Sequence, residues 1–165
     1  MLEVCWARRM KRMRILSLDF HGVLHPTADG AQRMAVTHFG WLPHLSRLLA
    51  PHLEVMLLVH STWRHRYNLQ ELRLLLGDTL RPRVVAAAPD GDDRWRAIQA
   101  WAAAQTGSLD LLIIDDARGE FPTTMPFTLL VCDPSSGLSD LRVQHSIQRR
   151  MGSEQERRRS DDDAE

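Results

Sequence analysis

Asp19, Asp115 and Asp116 each stand where a short apolar run gives way to polar residues, ILSLD in the first case and LLIIDD in the second. Carboxylates held close together at neutral pH repel one another and shift each other's pKa, so such a group calls for a cation. Oxygen-only ligation suits Mg²⁺, which keeps several waters and shares its remaining positions with substrate phosphate. The electrostatic logic therefore points to a phosphate site. Other run ends are also polar: His21 and Gly22 follow Asp19, while His60, Ser61, Thr62, Trp63 and Arg64 close a further run. Ligands of open parallel sheets bind outside the carboxyl ends of the strands, which makes these positions the ones to watch.

Five runs have strand length and composition: Arg14 to Phe20, Glu54 to Ser61, Arg83 to Ala88, Asp110 to Asp115 and Phe127 to Asp133. They show little polar alternation, as strands buried on both faces of a parallel sheet do. The intervening segments have helical spacing. Phe39, Leu42, Leu45, Leu48 and Leu49 recur at three- and four-residue steps, as do Leu69, Leu72, Leu75 and Leu76, and Ile98, Trp101 and Ala102. Gly77 and Gly107 follow the second and third of these segments, where a left-handed cap is wanted. A last helix is predicted to start near Ser139, whose side chain can cap it, and to run to about Arg150. Repeated strand-helix-strand alternation predicts an α/β fold with a doubly wound, five-stranded parallel sheet flanked by helices.

The 165 residues, 44% of them apolar, suffice for one domain with a real core. Lys plus Arg equal Asp plus Glu at 21 each, so no global charge draws the chain to nucleic acid or a membrane. Cys5 and Cys132 lie far apart and outside metal-ligand spacing, which suits a reducing cytoplasm. No apolar stretch approaches the roughly 20 residues of a membrane helix. The expected organisation is a flexible extension over residues 1–12, a domain over 13–150 and a disordered, densely charged tail over 151–165.

Four segments, in order and each on the expected element, resemble the motifs of the haloacid dehalogenase (HAD) superfamily of phosphohydrolases and phosphotransferases. ILSLDFHGVLHP resembles the opening strand and loop, which places Asp19 on the nucleophile. VMLLVHSTWR resembles the second motif, whose hydroxyl bonds the phosphoryl group, with Ser61 first and Thr62 next. DRWRAIQAW resembles the third, whose basic residue steadies nucleophile and phosphate, with Arg94 first and Arg96 in reserve. LLIIDDARGEF resembles the acidic fourth motif that completes the Mg²⁺ site. The Ser-Thr-Trp-Arg and Asp-Asp motifs together with DPSSGLSD are similar to a subfamily that occurs in Swiss Army Knife RNA repair proteins. The resemblance implies a Rossmann-like HAD fold and phosphoryl transfer through an aspartyl-phosphate on Asp19, with splitting of the reaction into two easier steps. It also implies Gly22 and Thr62 near the substrate, and Asp19, His21, Asp115 and Asp116 around the metal; Arg64, beside the second motif, reads either as a further substrate contact or as a solvated helix start.

His21 departs from the family pattern, which has a second aspartate there to protonate the leaving group and then activate water. The metal contact at this position is normally made by the backbone carbonyl, so a histidine is compatible with Mg²⁺. Two readings follow: imidazole takes over the proton transfer, which its ordinary pKa of about 6.5 permits, or the domain is a weakly catalytic module that binds phosphate or nucleic-acid ends within a larger assembly. The other histidines lack metal-ligand spacing, and His60 reads either as a neighbour of the phosphate or as a buried residue beside the sheet. Too few residues separate Leu24 from the helix near Phe39 for a cap domain, so a capless, open site is expected, suited to a large phosphorylated substrate.

Overall fold

In the computed structural model, which describes residues 12–27, 37–91 and 93–162, and side chains only to residue 152, the five apolar runs are strands. They are Met13–Leu18 (β1), Val55–Val59 (β2), Val84–Ala87 (β3), Leu109–Asp115 (β4) and Thr128–Val131 (β5). All pair in parallel, in the order β3-β2-β1-β4-β5. The chain winds outward from β1 through β2 to β3, then returns to the far side of β1 for β4 and β5. The reversal lies between β1 and β4, and a sheet of this kind opens a crevice at the carboxyl ends there.

Alternation along the strands sorts the core into two layers. Leu16 and Leu18 of β1, Leu57 and Val59 of β2, and Leu112 and Ile114 of β4 face the larger one. It is closed by the helices Leu42–Leu49 (α1), Leu69–Leu75 (α2) and Leu141–Asp162 (α5), through residues such as Leu45, Leu72 and Ile147. Ile15, Leu58, Leu111 and Ile113 face the smaller layer, packed on Ala97 and Ile98 of Arg94–Ala103 (α4) and on Phe121. Each such buried aliphatic side chain is worth about 1.5–3 kcal/mol relative to exposure. This parity matters for function, because Ser17, Asp19, His60 and Asp115 continue the α4-side rows.

Local signals set the helix ends. Asn68 accepts from the amides of Gln70 and Glu71 while the Glu71 carboxylate takes the Asn68 N–H, a reciprocal cap for α2. Gly77, at φ +70°, ends α2 in the left-handed region, and a single further turn, Gly77–Leu80 (α3), follows. Asp93 caps α4 by accepting the Arg96 N–H.

Two expectations about the last helix need correction. Ser139 is not its cap: the Ser139 hydroxyl donates to the Ser136 carbonyl in a 3₁₀ turn over Gly137–Ser139, and Asp140 accepts the Arg142 N–H instead. Nor does the helix stop near Arg150, since the backbone stays helical to Asp162. Residues 1–11, which hold Cys5 and nearly all of the expected N-terminal extension, lie outside the described residues, as do 28–36, 92 and 163–165. Among the described residues nothing forms a second domain between β1 and α1, and no helix is long and apolar enough to cross a membrane.

Candidate functional site

The register lays Leu18 beside Val59 on one side and Ile114 on the other, so the next residues, Asp19, His60 and Asp115, end three adjacent strands side by side. The Asp19 N–H donates to the Ile114 carbonyl and the His60 N–H to the Leu18 carbonyl, which extends the ladder to the site itself. Asp19 and Asp115 are fully buried and Asp116 is half-buried; one carboxylate oxygen from each can be chosen so that all lie within 4.8 Å of one another.

Arg94, the first residue of α4, supplies the opposing charge. Its Nη1 donates to Asp19 Oδ2 and to both oxygens of Asp115, each at 2.9 Å, and its Nε lies 3.3 Å from Glu120. Burial lowers the Arg94 pKa, but Asp19, Asp115 and Glu120 outweigh it, and the net shift is upward. Burial likewise pushes the Asp115 carboxyl up, while hydrogen bonds from His60 and the Ala117 amide and the charges of His60 and Arg94 bring it net below the ordinary range. Asp116 goes the other way: burial first, then the Asp19 and Asp115 charges, raise it. The cluster thus holds more negative charge than Arg94 compensates.

The donor set fits Mg²⁺, being hard oxygens from three carboxylates at one point of the sheet. A second observation fits a phosphoryl group. Ser61, two residues beyond β2, has a buried hydroxyl with no hydrogen-bond partner among the described residues. A buried hydroxyl left unpaired costs about 1–3 kcal/mol, which an incoming oxygen ligand would recover.

Other residues named from the sequence fall in different places. Thr62 is exposed at the start of a 3₁₀ turn over Thr62–His65. Arg96 is exposed and lies 3.6 Å from Asp93, away from the carboxylates. Arg64, left open between a substrate contact and a solvated helix start, is buried and donates to the carbonyls of His60, Ser61 and Gly91, where it ties the second loop to the third. Gly22 acts through its backbone shape: its N–H donates to the His25 carbonyl, its φ is +66°, and a Cβ there would lie 2.2 Å from Asp116 Oδ2. Only glycine lets the loop approach Asp116 so closely.

The His21 side chain does not join the carboxylates. Its Nε2 accepts the Trp63 indole N–H at 3.3 Å, and its ring lies 5.0 Å from that of His25. Any His21 contact with a metal would have to come from its backbone. His25 is buried, and burial, with His21 and His38 nearby, lowers its pKa to about 4, which keeps it neutral. Thr27, unremarked in the sequence, donates to Asp116 Oδ2 at 3.1 Å. His60, left open between two roles, is fully buried between Ser17 and Asp115. The DPSSGLSD segment closes the fold: the Leu138 N–H donates to the Val23 carbonyl, and a Cβ on Gly137 would meet Trp41 at 2.4 Å.

The model of one family, described as the HAD domain in Swiss Army Knife RNA repair proteins, matches residues 15–143. No curated protein and no solved structure matches the chain.

Proposed function

Since the chain belongs to the family of HAD domains in Swiss Army Knife RNA repair proteins, we propose that it is a Mg²⁺-dependent phosphatase or phosphotransferase that works through an aspartyl-phosphate on Asp19. The observation that carries this reading is the meeting of Asp19, Asp115, Asp116 and Arg94 at the switch point of the sheet. A carboxylate oxygen of Asp19 attacks phosphorus as the bond to the leaving oxygen breaks. The leaving oxygen takes a proton from His21, and water then attacks the phosphorus of the acyl phosphate, giving its proton back to His21 and releasing Asp19. Mg²⁺ held by Asp19, Asp115 and Asp116 would supply positive charge to offset the phosphoryl oxygens. Arg94 shares that task, and the Ser61 hydroxyl donates to the phosphoryl group.

The substrate class to try first is a phosphorylated nucleic-acid end, in keeping with the RNA repair proteins named in the family's description. A site with no cap domain among the described residues suits so large a substrate. The place of action is the cytoplasm, in keeping with a buried Cys132 that carries a free thiol.

One observation favours the second reading, a module that binds phosphate with little turnover. The indole N–H can only donate, and by aiming at His21 Nε2 it opposes protonation there. A screen of phosphate esters and 5′- and 3′-phosphorylated oligonucleotides with Mg²⁺ tests both readings. Turnover by the wild type that falls to background in Asp19→Asn is the expected result. Equal activity in the two proteins would remove Asp19 as nucleophile, and phosphate-analogue binding without turnover would establish the module.

A further inference from the structure

Behind Asp115 runs a line of three side chains, all fully buried: Ser17 of β1, His60 beyond β2, and Asp115 at the end of β4. Ser17 Oγ lies 2.7 Å from His60 Nδ1, and His60 Nε2 lies 2.8 Å from Asp115 Oδ2. The directions follow from chemistry. Both oxygens of Asp115 already accept, from Arg94 Nη1 and, at Oδ1, from the Ala117 N–H, so the carboxylate is the acceptor of this pair and Nε2 carries a hydrogen and donates. In the neutral ring Nδ1 is then the acceptor, and the Ser17 hydroxyl donates to it.

We infer that His60 is a positioning residue for the cation site, fixed in its Nε2–H tautomer by Ser17 and fixing in turn the plane of the Asp115 carboxylate. This rests on the reading of Asp19, Asp115 and Asp116 as a cation site. The Ala117 N–H donates to Asp115 Oδ1 at 2.7 Å, so His60 holds Oδ2 while Ala117 holds Oδ1. The ring is itself held by its edge contact with Phe121, at 6.3 Å between centroids. Ser17 and Asp19 are two residues apart on the same face of β1, so the line also locks together the strands that end in Asp19 and Asp115. Ser17 is sealed from solvent, which leaves it no access to a substrate as a nucleophile. Outer hydrogen-bond partners of metal-binding groups typically contribute about 10- to 100-fold in metal affinity.

The test exploits amide geometry. Gln at position 60 can place its amide nitrogen where His60 Nε2 stands, which keeps the donor to Asp115. Asn reaches only the Nδ1 position, next to Ser17. Both remove the same ring packing, so a purely structural role would penalise them alike. Mg²⁺ affinity measured calorimetrically, without substrate, should fall about 10- to 100-fold in His60→Asn, stay near the wild-type value in His60→Gln, and fall between these in Ser17→Ala. Equal losses in His60→Asn and His60→Gln would overturn the inference while leaving the cation site standing. A wild type that binds no Mg²⁺ would overturn the cation site and this inference with it. A further measurement needs no variant: the ¹⁵N spectrum of the wild-type imidazole should show a protonated Nε2 and a bare Nδ1 at His60, and the opposite tautomer would overturn the proposed direction of the line.

Discussion

Under the proposed function, His21 is the residue that separates turnover from mere binding, because it stands where the family pattern has its second aspartate. A proton transfer from its imidazole would matter most when the leaving group is a poor one. An alkoxide needs its proton in the transition state, whereas a nitrophenolate leaves without help. His21→Ala is therefore expected to slow alkyl phosphates by about 10²–10⁴ and aryl phosphates far less, measured as kcat on matched esters. If both fall equally, the imidazole acts through Trp63 and the loop, not through a proton. Strand ends pointed to Asp19, Asp115 and Asp116, which the structure brings together, because each stands where an apolar run stops, whereas Arg94, which pairs with two of them, came from the family resemblance. Neither signal showed that the Arg64 guanidinium is buried and donates to carbonyls of Gly91 and of its own loop. A contact between residues 27 positions apart on different loops leaves no periodic trace. His60 was legible in part: its parity with Leu58 puts it on the α4 side, but its partners depend on a register that the sequence alone does not state.

At the scale of elements, several arginines hold the fold in alignment by donating to backbone carbonyls. Arg83 is buried just before β3, and its guanidinium donates to the carbonyls of Leu49, His52 and Val55. Leu49 ends α1, so the cation also answers the unpaired carbonyls at that helix terminus. Arg83→Met keeps most of the aliphatic stem but leaves these carbonyls without their donor. It is expected to cost on the order of 3 kcal/mol, since hydrogen bonds to charged groups are worth about 1.5–3 kcal/mol each and some carbonyls will find water. Urea denaturation would show a lower midpoint with an unchanged slope; a midpoint unchanged within error would mean that these carbonyls are satisfied some other way. The elements themselves were well read, with all five strands within a few residues of their expected ends. The last helix was misjudged because its amphipathic stripe fades after Ile147 and Met151, while the helical backbone continues through a densely charged stretch of sequence. Its true cap, Asp140, and the rejected one, Ser139, are adjacent and both good cap formers, so propensity alone could not choose between them.

Across the whole molecule, charge is divided between the two ends of the sheet. At the amino end, buried Arg14 meets Glu54 and Asp110, and Asp110 also pairs with Arg150 of α5, so cations and anions there are matched. At the carboxyl end the carboxylates outnumber Arg94, and Asp116 is the least compensated of them. The fold therefore bears a standing electrostatic cost at this end, which a bound divalent cation would relieve. A cation present at about 100 times its Kd stabilises by about 2.7 kcal/mol, which for a domain of this size raises Tm by roughly 5–10 °C. The sign of the pH dependence follows from Asp116. Its carboxyl is raised in the folded state, so the folded protein holds the proton more tightly than the unfolded chain does. Stability from this group is full below the unfolded carboxylate pKa and is lost as pH rises through the raised value, so the cost is borne on the alkaline side of it. Asp116→Asn removes that charge and keeps an oxygen able to accept from Thr27. Melted in a chelator at pH 7, the variant should be more stable than the wild type, and the two should converge as pH falls below the carboxylate range. Melted with Mg²⁺, it should lose most of the increment that the wild type gains, so that the order of the two proteins reverses. A variant less stable than the wild type in chelator, or one that keeps the full Mg²⁺ increment, would mean that Asp116 is a structural anchor for the Gly22 loop and not part of the cation site.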